Sequence, residues 1–287
     1  MGTYVDVFRR KEVKYRLNAE QVSELRKAID TRMEHDLYGV SDIKSMYYDT
    51  LNHSVIARSL EKPLYKEKLR LRAYGEPTES SRVFLELKKK FKGIVYKRRI
   101  GMTYAAAKAF MVGMDYAEAA ASYPLDEQAG PIEELTRKNI QISREIEAFI
   151  DRNEPMFGAM LIECHREAFT ERPGMADPDD PIDHELRITF DYDIAYSEFK
   201  PLSTASVDRF GRFEGRIIAS ERATEPTRLL PEGEAIVEVK VLGSYPLWLV
   251  KALDGCGARP SSFSKYGTAF SKCLEAEHRS TALREAM

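Results

Sequence analysis

The sequence predicts an α+β protein built on an antiparallel β-barrel of about eight strands, with helices covering its outside. Three observations lead there. First, Lys68–Ala73, Val83–Lys88, Val95–Lys97, Leu186–Asp191 and Val237–Val241 alternate charged with apolar residues, placing every second side chain on one sheet face. Second, the charged side of these strands carries arginine and lysine where a solvent-facing sheet would normally show serine and threonine. Third, the connections between strands are mostly too short for parallel crossovers, and no glycine-rich strand-to-helix turn is present. One such strand would be an ordinary sheet with a wet face. Five imply a closed or nearly closed sheet, apolar outside, with a cation-lined lumen suited to a polyanion.

Taken in order, Phe8–Leu17 reads as the first strand, with Val13 and Tyr15 as its heavier residues. Asn18 caps a helix to about Met33, whose Val22, Leu25, Ile29 and Met33 recur at helical spacing. Ile43–Asp49 is a strand and Thr50–Ser59 a short helix. Lys66–Tyr74 and Arg82–Phe91 are strands joined by a loop opening with Gly75-Glu76-Pro77, and Phe91–Ile100 continues as a hairpin with Lys92-Gly93 at its turn. Residues 103–153 form a helical insert: alanines dominate 105–109 and 117–121, and Ile132–Ile150 repeats through Leu135, Ile142, Ile146 and Ile150. Strands resume at Met156–Phe169 and, after a Pro/Asp-rich loop at 172–182, at His184–Asp193. Residues 198–232 read as a loop with one weak strand near Gly215–Ala219. Ala235–Leu242 is the last clear strand, and helices at Pro246–Asp254 and Ser262–Glu277 follow. The 287 residues are expected to form a single domain.

Lysine plus arginine (44) and aspartate plus glutamate (46) nearly cancel, although 31% of residues are charged. A globally basic nucleic-acid binder is therefore excluded, while a locally basic site in a neutral protein fits. Cys164, Cys256 and Cys273 have neither metal-ligand nor disulfide spacing and read as reduced thiols of a cytoplasmic protein. No apolar run approaches the ~18 residues of a membrane helix, so a membrane role would require a partner protein. His35, His53, His165, His184 and His278 form no ligand spacing.

On the charged side of the strands lie Lys14, Arg70, Arg72, Lys88, Lys97, Arg187 and Lys240, with Glu12, Glu86 and Glu238 as inward carboxylates. The arginine fork matches phosphate oxygens, which suits Arg70 and Arg72 to a phosphate chain better than lysine would. Glu86 with Lys88 and Glu238 with Lys240 would, on an exposed sheet, be ion-pair ladders of little worth.

Nine stretches in order resemble the polyphosphate-polymerase (VTC) domain. They are Glu12-Val-Lys14-Tyr15, Tyr47-Tyr48-Asp49-Thr50, Lys68-Leu-Arg70-Leu-Arg72-Ala-Tyr74-Gly75, Phe84-Leu-Glu86-Leu-Lys88, Val95-Tyr-Lys97-Arg98-Arg99, Arg166-Glu-Ala-Phe169, Arg187-Ile-Thr-Phe-Asp191, Glu238-Val-Lys240 and Ser264-Lys265-Tyr266. Together they span about residues 7–275. The resemblance implies the triphosphate tunnel metalloenzyme fold, an eight-stranded antiparallel barrel that holds a phosphate chain inside. It also implies transfer of the γ-phosphate of ATP onto a growing inorganic polyphosphate, primed by phosphate or pyrophosphate. It adds Arg58, Arg166 and Lys265 to the substrate ligands and makes Glu238 the ligand of Mn²⁺ or Mg²⁺, ions that favour oxygen donors. Arg70, Arg72, Lys88 and Lys240 are then the catalytic grip. Lys14, Arg58, Lys97, Arg166, Arg187, Lys265 and Glu86 line the substrate path. Ten cations face three carboxylates, an expected surplus of about seven. Asp191, which shares a face with Arg187, is expected to orient an arginine.

Two rivals stand beside this reading. A tripolyphosphatase or nucleoside triphosphatase of the same fold usually opens with Glu-x-Glu-x-Lys, whereas Arg10-Lys11-Glu12-Val13-Lys14 supplies only the last glutamate and the lysine. A non-catalytic polyphosphate-binding module would be expected to lose ligand residues that this chain keeps. The inositol-phosphate-sensing domain and membrane helices of the eukaryotic enzymes are not recognisable here, and 103–153 and 198–232 match no assigned motif.

Overall fold

The computed structural model describes residues 10–92, 94–125, 137–172, 185–202 and 216–285. The chain forms β1 (Arg10–Leu17), α1 (Ala19–Arg32), β2 (Met33–Thr50), α2 (Ser54–Leu60), β3 (Tyr65–Tyr74), β4 (Arg82–Phe91), β5 (Ile94–Thr103), α3 (Tyr104–Met111), α4 (Tyr116–Ser122) and α5 (Arg137–Asn153). There follow β6 (Met156–Glu171), β7 (Arg187–Pro201), β8 (Ile217–Ile218), β9 (Ser220–Arg222), β10 (Thr227–Arg228), β11 (Ala235–Leu242), α6 (Leu247–Gly255), β12 (Pro260–Ser261) and α7 (Lys265–Glu285).

The sheet follows the order β12-β1-β11-β7-β6-β2-β3-β4-β5, with β8 on β6 and β9 and β10 on β7. Two expectations are corrected. The described strands number twelve rather than eight, and among them no pairing closes the strand order into a barrel. The extra strands are short ones of two or three residues, and β8 pairs with β6 in parallel, outside the antiparallel scheme. The turn glycine Gly93, the Pro/Asp-rich loop from 173 and His184 lie outside the described residues, as do 126–136 and 203–215.

The chain divides into two compact units: Met1–Asp42, Cys164–Ile194 and Arg228–Ser264 form one, and Ile43–Glu163, Ala195–Thr227 and Lys265–Met287 the other. In the first unit, β1 pairs with β11 and β11 with β7, both antiparallel. Tyr15, Leu17, Ile188, Phe190, Val237, Val239 and Val241 bury one face beneath Val22, Leu25 and Ile29 of α1 and Leu249 of α6. The start of α1 is fixed by a capping box. The Asn18 carbonyl accepts from Gln21 N at 2.9 Å, and the Gln21 side chain accepts from Asn18 N at 3.1 Å.

In the second unit, β2, β3, β4 and β5 form an antiparallel meander. Leu69, Leu71, Val83, Leu85, Leu87, Ile100 and Met102 bury its apolar face against Ala106, Ala107 and Phe110 of α3 and Ile142, Ile146, Phe149 and Ile150 of α5. Each fully buried leucine or isoleucine here contributes roughly 1.5–3 kcal/mol. In both units the side chains of the opposite parity therefore share the other face, and these are the charged residues.

Candidate phosphate-binding faces

In the second unit, register aligns three rows across the polar face. Lys68 lies opposite Lys88 and Lys88 opposite Lys97; Arg70 lies opposite Glu86 and Glu86 opposite Arg99; Arg72 lies opposite Phe84. The middle row is a tight ion cluster. Glu86 has no exposed side-chain surface; it accepts from Arg70 Nε at 2.6 Å and also pairs with Arg70 Nη2. Its other oxygen lies 2.6 Å from Lys97 Nζ and 3.3 Å from Arg99 Nε. Burial pushes the Glu86 carboxyl up, but the Arg70, Arg72 and Lys97 charges outweigh it and hold the group well below the usual carboxylate range.

Arg70 donates its third bond to Tyr47 Oη at 3.0 Å, so at least three of its five donors are committed to the protein. It is thus a fixed charge with a locked fork. Arg72 donates from Nε to Ser45 Oγ at 3.4 Å and also bonds Tyr74. Tyr47 stacks on Tyr266 of α7 at 4.7 Å between centroids, and Tyr266 Oη donates to Asp49 Oδ2 at 2.7 Å. The same carboxylate accepts from the backbone N–H of Val55 at 2.9 Å and of Ile56 at 3.0 Å, closing the start of α2 in place of an N-cap side chain.

The positive field leaves its mark on neighbouring groups. Although burial favours the neutral phenol, Arg70 and Arg72 bring Tyr47 below the ordinary tyrosine value, and Arg72 and Arg99 do the same to Tyr74. Lys68 and Lys97 are lowered, first by burial and then by neighbouring cations, Lys66 for the former and Arg99 for the latter. Like charges directly across a ladder repel, and Lys68, Lys88 and Lys97 stand in one row, Lys97 also pairing with Glu86.

The first unit is balanced differently. Lys14 lies opposite Glu238 and Glu12 opposite Lys240. Glu238 pairs with Lys240 Nζ at 2.7 Å and Lys14 Nζ at 3.1 Å, and Lys14 also contacts Glu12. Burial opposes ionisation of Glu238, but Lys240, Lys14 and Arg166 hold its carboxyl well below the usual range. Arg166 makes a two-pronged bond to buried Asp191, Nε to Oδ1 at 2.6 Å and Nη2 to Oδ2 at 2.8 Å. Arg187 pairs with Asp36 at 2.7–2.8 Å. Asp191 thus orients Arg166, and Arg187 takes Asp36 from the first half of β2, a strand portion not legible in the sequence.

The expected surplus of about seven cations is therefore unevenly distributed. Lys14, Lys240, Arg166 and Arg187 of the first unit sit among Glu12, Glu238, Asp191 and Asp36. Among the described residues, Lys68, Arg70, Arg72, Lys88, Lys97 and Arg99 lie on the polar face of the second, with Glu86 and Asp49 beside them. Two other expected ligands lie in the second unit: Arg58 is exposed on α2 and Lys265 opens α7, directly before Tyr266. Arg99, absent from the sequence-derived ligand set, belongs to this face, its guanidinium 3.5 Å from the Phe84 ring centroid. Its position two residues after Lys97 on one strand was the available signal.

Among the described residues no three His, Cys, Asp or Glu side chains converge as a preformed cation site. What Glu238 offers fits the other way of holding a hard divalent ion, one carboxylate with phosphate oxygens completing the shell. Opposite Glu238 on β7 stands Thr189, whose buried hydroxyl has no hydrogen-bond partner.

The VTC domain profile matches residues 9–274. No curated protein matches the sequence. Solved structures similar to the chain include one from Vibrio parahaemolyticus, described as that of a "putative adenylate cyclase", at 10% identity and a TM-score of 0.40, covering 91% of this chain and 97% of that one.

Proposed function

Since this chain belongs to the VTC domain family, we propose that it is a polyphosphate polymerase, transferring the γ-phosphate of ATP onto a growing inorganic polyphosphate chain. The observation that carries the reading is the row Lys68–Lys88–Lys97 beside Arg70–Glu86–Arg99. Six cations with Arg72 included, held to one face at a cost in mutual repulsion, are what a phosphate chain would relieve. Phosphoryl transfer demands positioning and charge neutralisation more than a protein nucleophile. Arg70 is a fixed charge whose fork Glu86 and Tyr47 orient; Arg72, Lys88 and Lys97 supply contacts to non-bridging oxygens. The attacking group is an already ionised terminal oxygen of phosphate, pyrophosphate or the polymer, so no strong general base is needed.

In the first unit, Glu238 would hold Mn²⁺ or Mg²⁺, and Lys14 and Lys240, now 3.1 and 2.7 Å from it, would transfer to phosphate oxygens. Such an ion, when bound, neutralises charge on phosphate oxygens. Arg166 and Arg187, oriented by Asp191 and Asp36, Arg58 and Lys265 are the remaining proposed substrate contacts.

The test is incubation of the purified protein with ATP, Mn²⁺ and a trace of pyrophosphate, followed by polyphosphate staining of a gel and ADP measurement. Polymer matched by ADP, and lost in a folded Arg72→Ala variant, is the expected result. Free phosphate without polymer would assign the protein to hydrolysis. Tight polyphosphate binding with neither product would make it a binding module.

A further inference from the structure

At one end of the second unit's meander, large apolar side chains are exposed side by side. Leu64 is 72% exposed, and Tyr65, Phe91 and Ile94 form one row across β3, β4 and β5. The Tyr65 and Phe91 rings meet edge-on at 6.4 Å, and Lys92 N donates to Leu64 O at 2.9 Å, tying the end of β4 to the segment before β3. Exposed apolar residues scattered singly require no explanation, but a contiguous group does.

Beside Tyr65 stand the carboxylates of Glu67 and Glu145, which pair with Arg152 and with Lys89 and Arg98, and beyond these pairs this end of the meander is rich in lysine. On the other face of the strands Lys66, whose Nζ donates to Ser59 O at 3.0 Å, lies opposite Lys90 and Lys90 opposite the exposed Val95, while Lys92 Nζ sits 5.4 Å from the Phe91 centroid. Lys62, in the turn before Leu64, completes the set, with Glu61 as its acidic neighbour in sequence. Lys66 is lowered by burial and by the charges of Lys90 and Lys62, so these ammonium groups feel one another.

We propose that this end of the sheet docks on an anionic lipid surface, with Leu64, Tyr65, Phe91 and Ile94 entering the headgroup boundary and Lys62, Lys66, Lys90 and Lys92 against the lipid phosphates. Tyrosine and aliphatic side chains flanked by lysine are the composition of a membrane-interface contact. β5 stands at an end of the strand order, so its edge is open to a second copy of the chain. Self-association through this end would, however, bring two lysine sets together, and their like charge selects a negatively charged partner instead. Among the described residues no helix is long and apolar enough to cross a membrane, so this contact is peripheral.

The test is co-sedimentation of the full chain with phosphatidylcholine vesicles, with and without phosphatidylglycerol, in the absence of ATP. That condition separates its outcome from the fate of the polymerase reading. Binding is expected only with phosphatidylglycerol and is released by salt. Each lysine near an anionic surface is worth about fivefold in partitioning, so Lys62→Glu with Lys92→Glu should weaken binding by about 25-fold or more. Leu64→Ser with Phe91→Ser should weaken it at least tenfold or so, with the melting temperature confirming the fold. Absence of binding at low salt overturns the proposal. So does binding that the apolar variant leaves intact, which would reduce the lysines to a soluble-anion site. A dimer in sedimentation equilibrium that the apolar variant dissolves would assign the face to a second copy and likewise overturn it.

Discussion

Replacing Glu86 with glutamine removes one charge from a side chain with no exposed surface while leaving Arg70, Lys97 and Arg99 around it. At 2.6 Å and an effective dielectric of 20, each nearest pair attracts by ~6 kcal/mol before desolvation. Desolvation cancels much of this, and breaking a buried pair from one side costs about 3–5 kcal/mol net. At roughly 2–4 °C per kcal/mol for a protein of this size, the melting temperature should fall by about 6–20 °C. The acid limb supplies a second reading. The folded-state pKa of Glu86 is depressed, so its contribution is fully present above the unfolded value near 4.5 and is lost as pH falls through the folded value. Glu86→Gln should therefore be less stable than the parent at neutral pH and lose less on acidification below about pH 4.5. Melting curves by circular dichroism across pH measure both. A variant melting within about 2 °C of the parent at neutral pH would refute the reasoning, because three cations would then be tolerating one another without their counter-charge.

Three further outcomes follow from the same geometry. Lys88→Ala removes the central member of the lysine row, so tripolyphosphate affinity by calorimetry should drop at least about tenfold, the worth of one charge-assisted contact. Arg166→Lys keeps the charge but forfeits the two-pronged bond to buried Asp191, and the urea midpoint should record a loss of about 1.5–3 kcal/mol. Tyr266→Phe leaves Asp49 its backbone donors and deletes only the 2.7 Å hydroxyl bond. It should cost about 1.5–3 kcal/mol in the same assay and leave tripolyphosphate binding nearly unchanged, since the ring stacked on Tyr47 is kept.

Where a strand buries one face, the sequence announces it. Ala235–Leu242 and Arg82–Phe91 have the boundaries that alternation predicts, because Ala235, Val237, Val239 and Val241 and likewise Val83, Leu85 and Leu87 are buried. The first ten residues of β2 escape this logic. From Glu34 to Asp42 every side chain is exposed or half-exposed, so no apolar period marks the strand. Asp36, carried on that stretch, was invisible as the partner of Arg187. The end of α7 is hidden for the same reason: residues 274–282 are exposed all round and show no apolar stripe. At the site, parity found Glu86, Glu238 and the cations opposite them, since residue type and period suffice for that. Pairing was beyond reach. That Asp191 would choose Arg166, and that Asp49 would serve both α2 and Tyr266, depends on contacts between segments far apart in the chain.

The Asp49–Tyr266–Tyr47–Arg70 sequence of contacts ties an arginine encoded early to a tyrosine encoded near the end. On the ribosome, residues 43–103 can pair as a meander long before α7 emerges. Until then Tyr47 has no ring to lie against, and the hydroxyl that steadies Arg70 has no fixed place. Under the proposed function, competence to hold a polyanion would thereby be deferred until α7 has emerged, and the earlier nascent chain would be kept from closing on nucleotide and phosphate around it.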